Sequence, residues 1–156
     1  MSLPDGIEDI LPLTPAQAGM LFHVLENPAL RGRYVAVVSC HLNGPLDAER
    51  LETAMQAAVT ARDAYRAAFI WEGVKQPVQA IHNKVTLSFA ALDWRDNGPS
   101  EQNARLADFV ATEQRRAFDL AQAPLMTCHL IALSTDHHVL VWTVHHLISD
   151  GWSTSV

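Results

Sequence analysis

The chain has 156 residues, of which 49% are hydrophobic and 18% charged, so it can form a compact domain with a core, and disorder as the overall state is disfavoured. Its formal net charge of -6, with no run of Lys or Arg, argues against nucleic acid and anionic membrane as main partners, because both need a concentrated basic surface. No segment approaches ~20 apolar residues and no secretory signal begins the chain, so we expect a soluble cytoplasmic protein.

The first ordered element is expected to be a helix whose amino-terminal cap is Thr14. Thr14 can cap the helix, Pro15 suits the first helical position, and Gln17 completes a capping box. Apolar residues then recur at helical spacing on one face: Met20, Leu21, Val24 and Leu25. An Asn27-Pro28 pair ends this helix.

A β-branched, apolar segment follows at residues 34–42 and predicts a strand, for which we expect a central position in its sheet. Asp47 then caps a second helix that runs to about residue 62. Short strands are expected in the next section of the chain, at residues 67–71, 78–82 and 85–89.

The last third of the chain predicts one helix and one hairpin. The helix runs from residue 100 to about residue 118, with an inner face formed by Leu106, Phe109 and Val110. Two strand-like segments, 127–133 and 138–144, are joined by four polar residues and predict antiparallel pairing. No internal repeat is present, so we expect a single α/β unit.

Two cysteines, Cys40 and Cys128, lie in apolar segments of the sequence. They lack the close, paired spacing of a metal site or a redox pair. We therefore expect both thiols to be buried and to behave as small hydrophobic residues.

A polar cluster follows the last predicted strand, where that strand must give way to a turn. Adjacent side chains of an extended segment point to opposite faces, so His145 and His146 cannot both face one cleft. One ring should face the site while the other packs inside, which also disfavours a shared metal. Asp150 can bond a ring or hold the loop, and Gly151 permits a sharp turn. The alternative from spacing alone is a structural His pair.

The segment 145–151 reads HHLISDG and matches the HHxxxDG signature of condensation domains from non-ribosomal peptide synthetases. Three further blocks resemble motifs of that family in the same order: LPLTPAQAGMLFH at 11–23, RDAYRAAF at 62–69 and FDLAQAPLM at 118–126. The resemblance covers about residues 10–153. The second block departs from the family pattern at Arg62, Asp63 and Tyr65, and Thr127 stands where Arg is common.

This resemblance implies a two-layer α/β sandwich, like one lobe of chloramphenicol acetyltransferase. A complete family member is a pseudo-dimer of two such lobes with a tunnel between them. Residues 1–156 would form the amino-terminal lobe, and the carboxy-terminal lobe would be absent from this chain. We expect such a fragment to have little activity alone, because half a cleft cannot align two tethered substrates.

The resemblance also implies the reaction, which is amide bond formation between a donor thioester and an acceptor aminoacyl amine. Both substrates would be carried on phosphopantetheine arms of donor and acceptor peptidyl carrier proteins, with no bound cofactor and no metal. Adjoining synthetase domains and the missing lobe would be further partners.

The family pattern assigns roles to the residues of the polar cluster. His146 would be the catalytic residue, either as general base or as a group that orients the amine. His145 and Gly151 would be scaffold. Asp150 would pair with Arg66 and hold the loop, a contact that would cost ~3 to 5 kcal/mol to break from one side.

Three other functions remain open at this point. Another acyltransferase with the HHxxxDG motif, such as an ester-forming enzyme, is the first, and an epimerisation domain is the second. A non-catalytic docking module for carrier proteins is the third. The block at 11–23 also resembles condensation domains that accept a D-configured donor.

Overall fold

A computed structural model describes residues 3–27 and 32–150 of the chain. Within these ranges the secondary structure consists of β1 (Ile7–Pro12), α1 (Pro15–Glu26), β2 (Val35–Asn43), α2 (Ala48–Thr60), a 3-10 turn (Asp63–Arg66), β3 (Ala67–Ile70), β4 (Val78–His82), β5 (Ser88–Asp93), α3 (Pro99–Glu113), β6 (Met126–Ala132) and β7 (His137–His145). In these two ranges, no helix is both long enough and apolar enough to cross a membrane.

The strands form two sheets. The smaller sheet has the order β1-β4-β3 with antiparallel pairs, and the larger has the order β2-β7-β6-β5. In the larger sheet β5 and β6 are parallel and are connected through α3, whereas β7 pairs antiparallel with both β6 and β2. The predicted hairpin of β6 and β7 is therefore confirmed.

Side chains on both faces of the larger sheet are buried, which gives the molecule its layers. One cluster lies on the α3 side and consists of Trp94, Ile131, Val139 and Val141, with Leu106 and Phe109 of α3 packed against it. The main core joins α1, α2 and both sheets, and its buried members include Leu21, Val24, Val59, Phe69, Ile81, Cys128 and Val144. This arrangement confirms the predicted α/β class.

The capping prediction for α1 is confirmed. The Thr14 hydroxyl accepts a hydrogen bond from the Gln17 amide at 3.2 Å, and the Gln17 side chain accepts one from the Thr14 amide at 2.8 Å. Such reciprocal bonds satisfy two amide groups that the first helical turn leaves without partners. The helix ends at Glu26, directly before the predicted stop.

Several predicted elements were wrong in place or extent. β1 precedes the helix that was expected to come first. Its sequence does not alternate between apolar and polar residues, and five of its six residues are exposed. β2 is an edge strand and not a central one. β5 begins at Ser88 and not at residue 85. α3 ends at Glu113, five residues earlier than expected, and its two buried residues are polar, Gln102 and Glu113.

The prediction that both cysteines are buried was half wrong. Cys128 is fully buried in the main core, but Cys40 is exposed. Cys40 lies on the edge strand β2, whose residues from Ser39 to His41 are all exposed to solvent. Cys40 is therefore exposed at the edge of the sheet, although it lies in an apolar segment of the sequence.

We expect the two thiols to react at very different rates. Burial raises the pKa of the Cys128 thiol to about 12, so this residue carries almost no reactive thiolate at neutral pH. Labelling the native chain with a thiol reagent should modify Cys40 alone, and Cys128 should react only after unfolding. Cys40→Ala should abolish labelling of the native chain, and fast native labelling of that variant would contradict the burial of Cys128.

Candidate active site

The two histidines of the polar cluster lie at the end of β7, and the backbone amide of each is hydrogen-bonded to a carbonyl of another segment. The His145 amide donates to the Leu125 carbonyl at 3.0 Å, and the His146 amide donates to the Tyr34 carbonyl at 2.8 Å. The His145 side chain is 0% exposed, whereas His146 is partly exposed and lines a cleft. The two rings thus have the opposite environments that strand alternation predicts.

His145 is packed as part of the interior. Its ring lies edge-on to Tyr34 and Phe118, with centroid separations of 6.4 and 6.3 Å. Nδ1 accepts a hydrogen bond from the Leu147 amide at 3.1 Å, so the proton of the neutral ring is on Nε2. Burial, together with the neighbouring charge of His146, lowers the pKa of His145 to about 4. The ring is therefore neutral at physiological pH.

His146 has a defined tautomer. Its Nδ1 lies 3.2 Å from the carbonyl oxygen of Ser149. A carbonyl oxygen only accepts hydrogen bonds, so Nδ1 must carry the proton and donate it. The neutral ring then keeps its lone pair on Nε2. This is the nitrogen that can accept a hydrogen bond or a proton from a group in the cleft.

The cleft beside His146 has a volume of about 230 Å³. One wall comes from the start of α1, with Ala64 and Gln79 adjoining it, and the other from the turn after β7. The lining residues are Thr14, Ala16, Gln17, Met20, Ala64, Gln79, His146, Leu147, Ile148, Ser149 and Asp150. Apart from His146, the ionisable side chain among them is Asp150, so the cleft is largely neutral and suits uncharged polar groups.

Arg66 is buried, at 5% exposure, at the end of the 3-10 turn. Its guanidinium contacts Glu8 at 2.5 Å and Asp63 at 2.6 Å, and it donates to the carbonyl of His82. The ion pair predicted between Arg66 and Asp150 stays a prediction. Glu8 lies on β1, and that strand was missed in the sequence.

The remaining predicted residues are placed as follows. Asp150 is exposed and lines the cleft, three residues beyond Leu147. Gly151 lies outside the described residues, so the turn expected there is not described. The structure therefore brings His146 and Asp150 to one cleft and places His145 and Arg66 in the interior.

A buried carboxylate, that of Glu113, stabilises β7. Glu113 accepts two hydrogen bonds from one edge of the Arg116 guanidinium, from Nε at 2.8 Å and from Nη2 at 2.5 Å, and a third from the Thr143 hydroxyl at 2.8 Å. Burial by itself raises the pKa of Glu113, but the hydrogen bonds from Arg116 and Thr143 and the charge of Arg116 leave it below its ordinary value. Thr143 lies two residues before His145. These hydrogen bonds therefore stabilise the end of the strand that leads to His145 and His146.

Sequence reasoning missed the groups that hold the His146 ring and its turn. Two of them are main-chain carbonyls, those of Tyr34 and Ser149, which have no sequence signature. The third is the Gln17 side chain, which donates to the Leu147 carbonyl at 2.9 Å across 130 residues of sequence. Gln17 was recognised as a capping residue, and nothing in its position indicated the second contact.

Comparison with known families gives one match that spans nearly the whole chain. The family model described as "Condensation domain" matches residues 7–156. The chain is 38% identical over 151 residues to a linear gramicidin synthase protein of Brevibacillus parabrevis, with 97% of this chain and 2% of that protein covered. It is 31% identical over 152 residues to tyrocidine synthase 2 of the same organism, with 97% of this chain and 4% of that protein covered. The chain thus spans a small part of the length of these relatives.

Solved structures share the fold. The first condensation domain of the calcium-dependent antibiotic synthetase, in complex with a substrate analogue, superposes with a TM-score of 0.82 at 19% identity, covering 95% of this chain and 35% of that one. Holo-AB3403, a four-domain non-ribosomal peptide synthetase bound to AMP and glycine, gives a TM-score of 0.81 at 20% identity, covering 99% of this chain and 11% of that one. The predicted chloramphenicol-acetyltransferase-like lobe is confirmed by this shared architecture.

Proposed function

The chain belongs to the condensation-domain family of non-ribosomal peptide synthetases, and from that premise we propose that it forms one wall of a site for amide bond formation. The donor is an acyl or peptidyl thioester and the acceptor is an aminoacyl amine. Both are carried on phosphopantetheine arms of peptidyl carrier proteins. The arms bring the reacting groups to the cleft, and no resident cofactor or metal takes part.

The observation that carries this proposal is the tautomer of His146. With Nδ1–H donated to the Ser149 carbonyl, Nε2 is the basic nitrogen of a ring that lines the cleft. An acceptor amine can donate a hydrogen bond to that nitrogen while its own lone pair attacks the thioester carbonyl carbon. Because a neutral amine is already nucleophilic, orienting it accounts for much of the benefit.

The proton then has a defined path in the proposed reaction. Attack forms the C–N bond and gives a tetrahedral intermediate whose nitrogen carries an extra proton. Nε2 of His146 accepts this proton. Collapse of the intermediate breaks the C–S bond, and the imidazolium returns the proton to the leaving sulfur. The products are the amide on the acceptor carrier and a free thiol on the donor carrier.

The other residues of the predicted site act through position in this proposal. His145 anchors the turn from inside, since its Nδ1 holds the Leu147 amide. Arg66 stabilises the turn that places Ala64 on the cleft, together with Glu8 and Asp63. Asp150 and Gly151 shape the loop after His146.

We also propose that residues 1–156 act as the amino-terminal lobe of a two-lobed domain. The solved condensation domain with a substrate analogue is about three times as long as the part that this chain matches, at 35% coverage. A carboxy-terminal lobe would close the cleft into a tunnel and exclude water. The donor and acceptor carriers and adjoining synthetase domains would approach its two ends.

An assay with defined loaded carriers tests this function. The chain alone should give no amide product above background, whereas the chain joined to the carboxy-terminal lobe that follows it in a synthetase should form product detectable by mass spectrometry. Robust product formation by the 156-residue chain alone would contradict the two-lobe proposal. A hydroxyacyl acceptor, run in parallel, distinguishes amide formation from ester formation.

A further inference from the structure

We propose that Gln17 is a positioning residue for the condensation reaction, because its side-chain amide holds the turn that carries His146. This inference rests on the function proposed above. Gln17 does not need to touch the reacting atoms in order to act. It would act by fixing the carbonyl of Leu147, the residue next to His146, and through it the direction of the imidazole.

The hydrogen bonds of Gln17 link three separate parts of the fold. Its Oε1 accepts from the Thr14 amide at 2.8 Å at the start of α1. Its Nε2 donates to the Leu147 carbonyl at 2.9 Å and to the Gln79 Oε1 at 3.3 Å. Both N–H groups of the side-chain amide therefore have acceptors, one on β4 and the other in the turn after β7.

The orientation of the Gln17 amide is determined by its neighbours. Gln79 donates its own Nε2 to the carbonyl of Pro12 at 3.2 Å, so its Oε1 is the atom that faces Gln17. The Leu147 carbonyl is likewise an acceptor, and the Thr14 amide is a donor. A residue at position 17 must therefore present an acceptor toward Thr14 and donors toward the other two groups, and an unionised amide does both.

The consequence for His146 follows from how residue 147 is held. The Leu147 amide donates to Nδ1 of the buried His145 at 3.1 Å, and its carbonyl accepts from Gln17 at 2.9 Å. The Ile148 amide closes the turn on the His145 carbonyl at 3.1 Å. The peptide groups on both sides of Leu147 are thus fixed, and the Ser149 carbonyl is kept where it can accept from Nδ1 of His146.

Two substitutions at position 17 test this inference in the two-lobed domain. Gln17→Glu keeps an oxygen that can accept from the Thr14 amide, but its second oxygen faces the Leu147 carbonyl and Gln79 Oε1, which are both acceptors. Gln17→Met removes all these polar contacts without adding charge. We expect each to lower kcat by ~10- to 100-fold, as small misplacements of a catalytic group do, with KM for the loaded acceptor carrier changed much less. Asp47→Ala is the matched control, because Asp47 caps α2 through the Glu49 and Arg50 amides, far in sequence from the cleft; its kcat should equal that of the wild type.

A spectroscopic measurement separates positioning from general loss of structure. Nitrogen NMR of labelled histidine reports whether Nδ1 or Nε2 of His146 carries the proton. The wild type and Asp47→Ala should show the Nδ1-protonated form, and both Gln17 variants should show a mixture of the two forms. If one Gln17 variant does not fold, the other still gives the answer.

The outcomes distinguish this inference from the proposed function. If His146→Ala keeps its activity, the proposed function fails. If His146→Ala is inactive but a folded Gln17 variant matches Asp47→Ala in kcat and in the His146 signal, the inference about Gln17 is wrong. A reduced kcat together with a mixed tautomer in a folded Gln17 variant supports it.

Discussion

Replacing His146 with alanine is expected to lower the rate of amide formation by about 10²- to 10⁴-fold in the two-lobed domain, the range typical for a positioned acid–base group. The side chain donates to the Ser149 carbonyl and is partly exposed at the cleft. The variant should therefore fold normally, with a thermal midpoint close to that of the wild type. Product formation on loaded carriers, measured by mass spectrometry under single-turnover conditions, gives the rate of the chemical step.

A second histidine on the same strand provides the control. His137 lies at the other end of β7, where its Nε2 is 3.0 Å from Nδ1 of His41, and it is absent from the lining of the cleft. His137→Ala should leave the rate unchanged. Unchanged turnover in His146→Ala on the same carriers would remove the central assignment, because among the described residues that line the cleft only Asp150 also carries an ionisable side chain.

The parts of the fold that were predicted correctly are those in which local chemistry and burial agree. The Thr14 and Gln17 capping box marks α1 without any tertiary information, and the capping carboxylate of Asp47 marks α2 in the same way. β6 and β7 are buried on both faces, so their continuous apolar and β-branched sequences are unambiguous. The side-chain alternation at the end of β7 was enough to predict that His145 and His146 face opposite ways.

The parts that were missed depend on contacts between distant residues. β1 is mostly exposed and is held by backbone pairing with β4, so its sequence carries no apolar pattern. Missing β1 also hid Glu8, one of the two carboxylates that the Arg66 guanidinium contacts. The bond from Gln17 to the turn after β7 joins residues that only the tertiary fold brings together.

The two adjacent histidines make different contributions to the site. His145 contributes a fixed acceptor in the interior, which orders the following turn. That order places the Ser149 carbonyl against His146 and selects its tautomer. The buried imidazole of His145 thus stabilises the geometry of the His146 imidazole, which lines the cleft.

The burial of His145 should make the free energy of unfolding depend on pH. The unfolded chain binds a proton at this residue with the ordinary pKa of 6.5, whereas the folded chain resists until the pH nears the lowered pKa of about 4. Between these values the unfolded state holds more protons, so stability is fully present above pH 6.5 and is lost progressively as the pH falls toward 4. At a pH of about 5 the loss from this residue should be ~2 kcal/mol, and it should approach ~3 kcal/mol at lower pH.

Urea denaturation of the wild-type chain and of His145→Asn, at pH values of about 7.5 and 5, measures this contribution. Asparagine keeps an oxygen that can accept from the Leu147 amide but cannot titrate, so it should be less stable than the wild type at the higher pH and should lose less stability on acidification. The pKa values of Glu113 and His129 are also lowered in the folded chain, and their acid destabilisation remains in both proteins, so only the difference between the two proteins reports on His145. Equal losses in the two proteins would show that the buried ring does not titrate on unfolding, and the account of His145 as a neutral anchor for the turn would then be wrong.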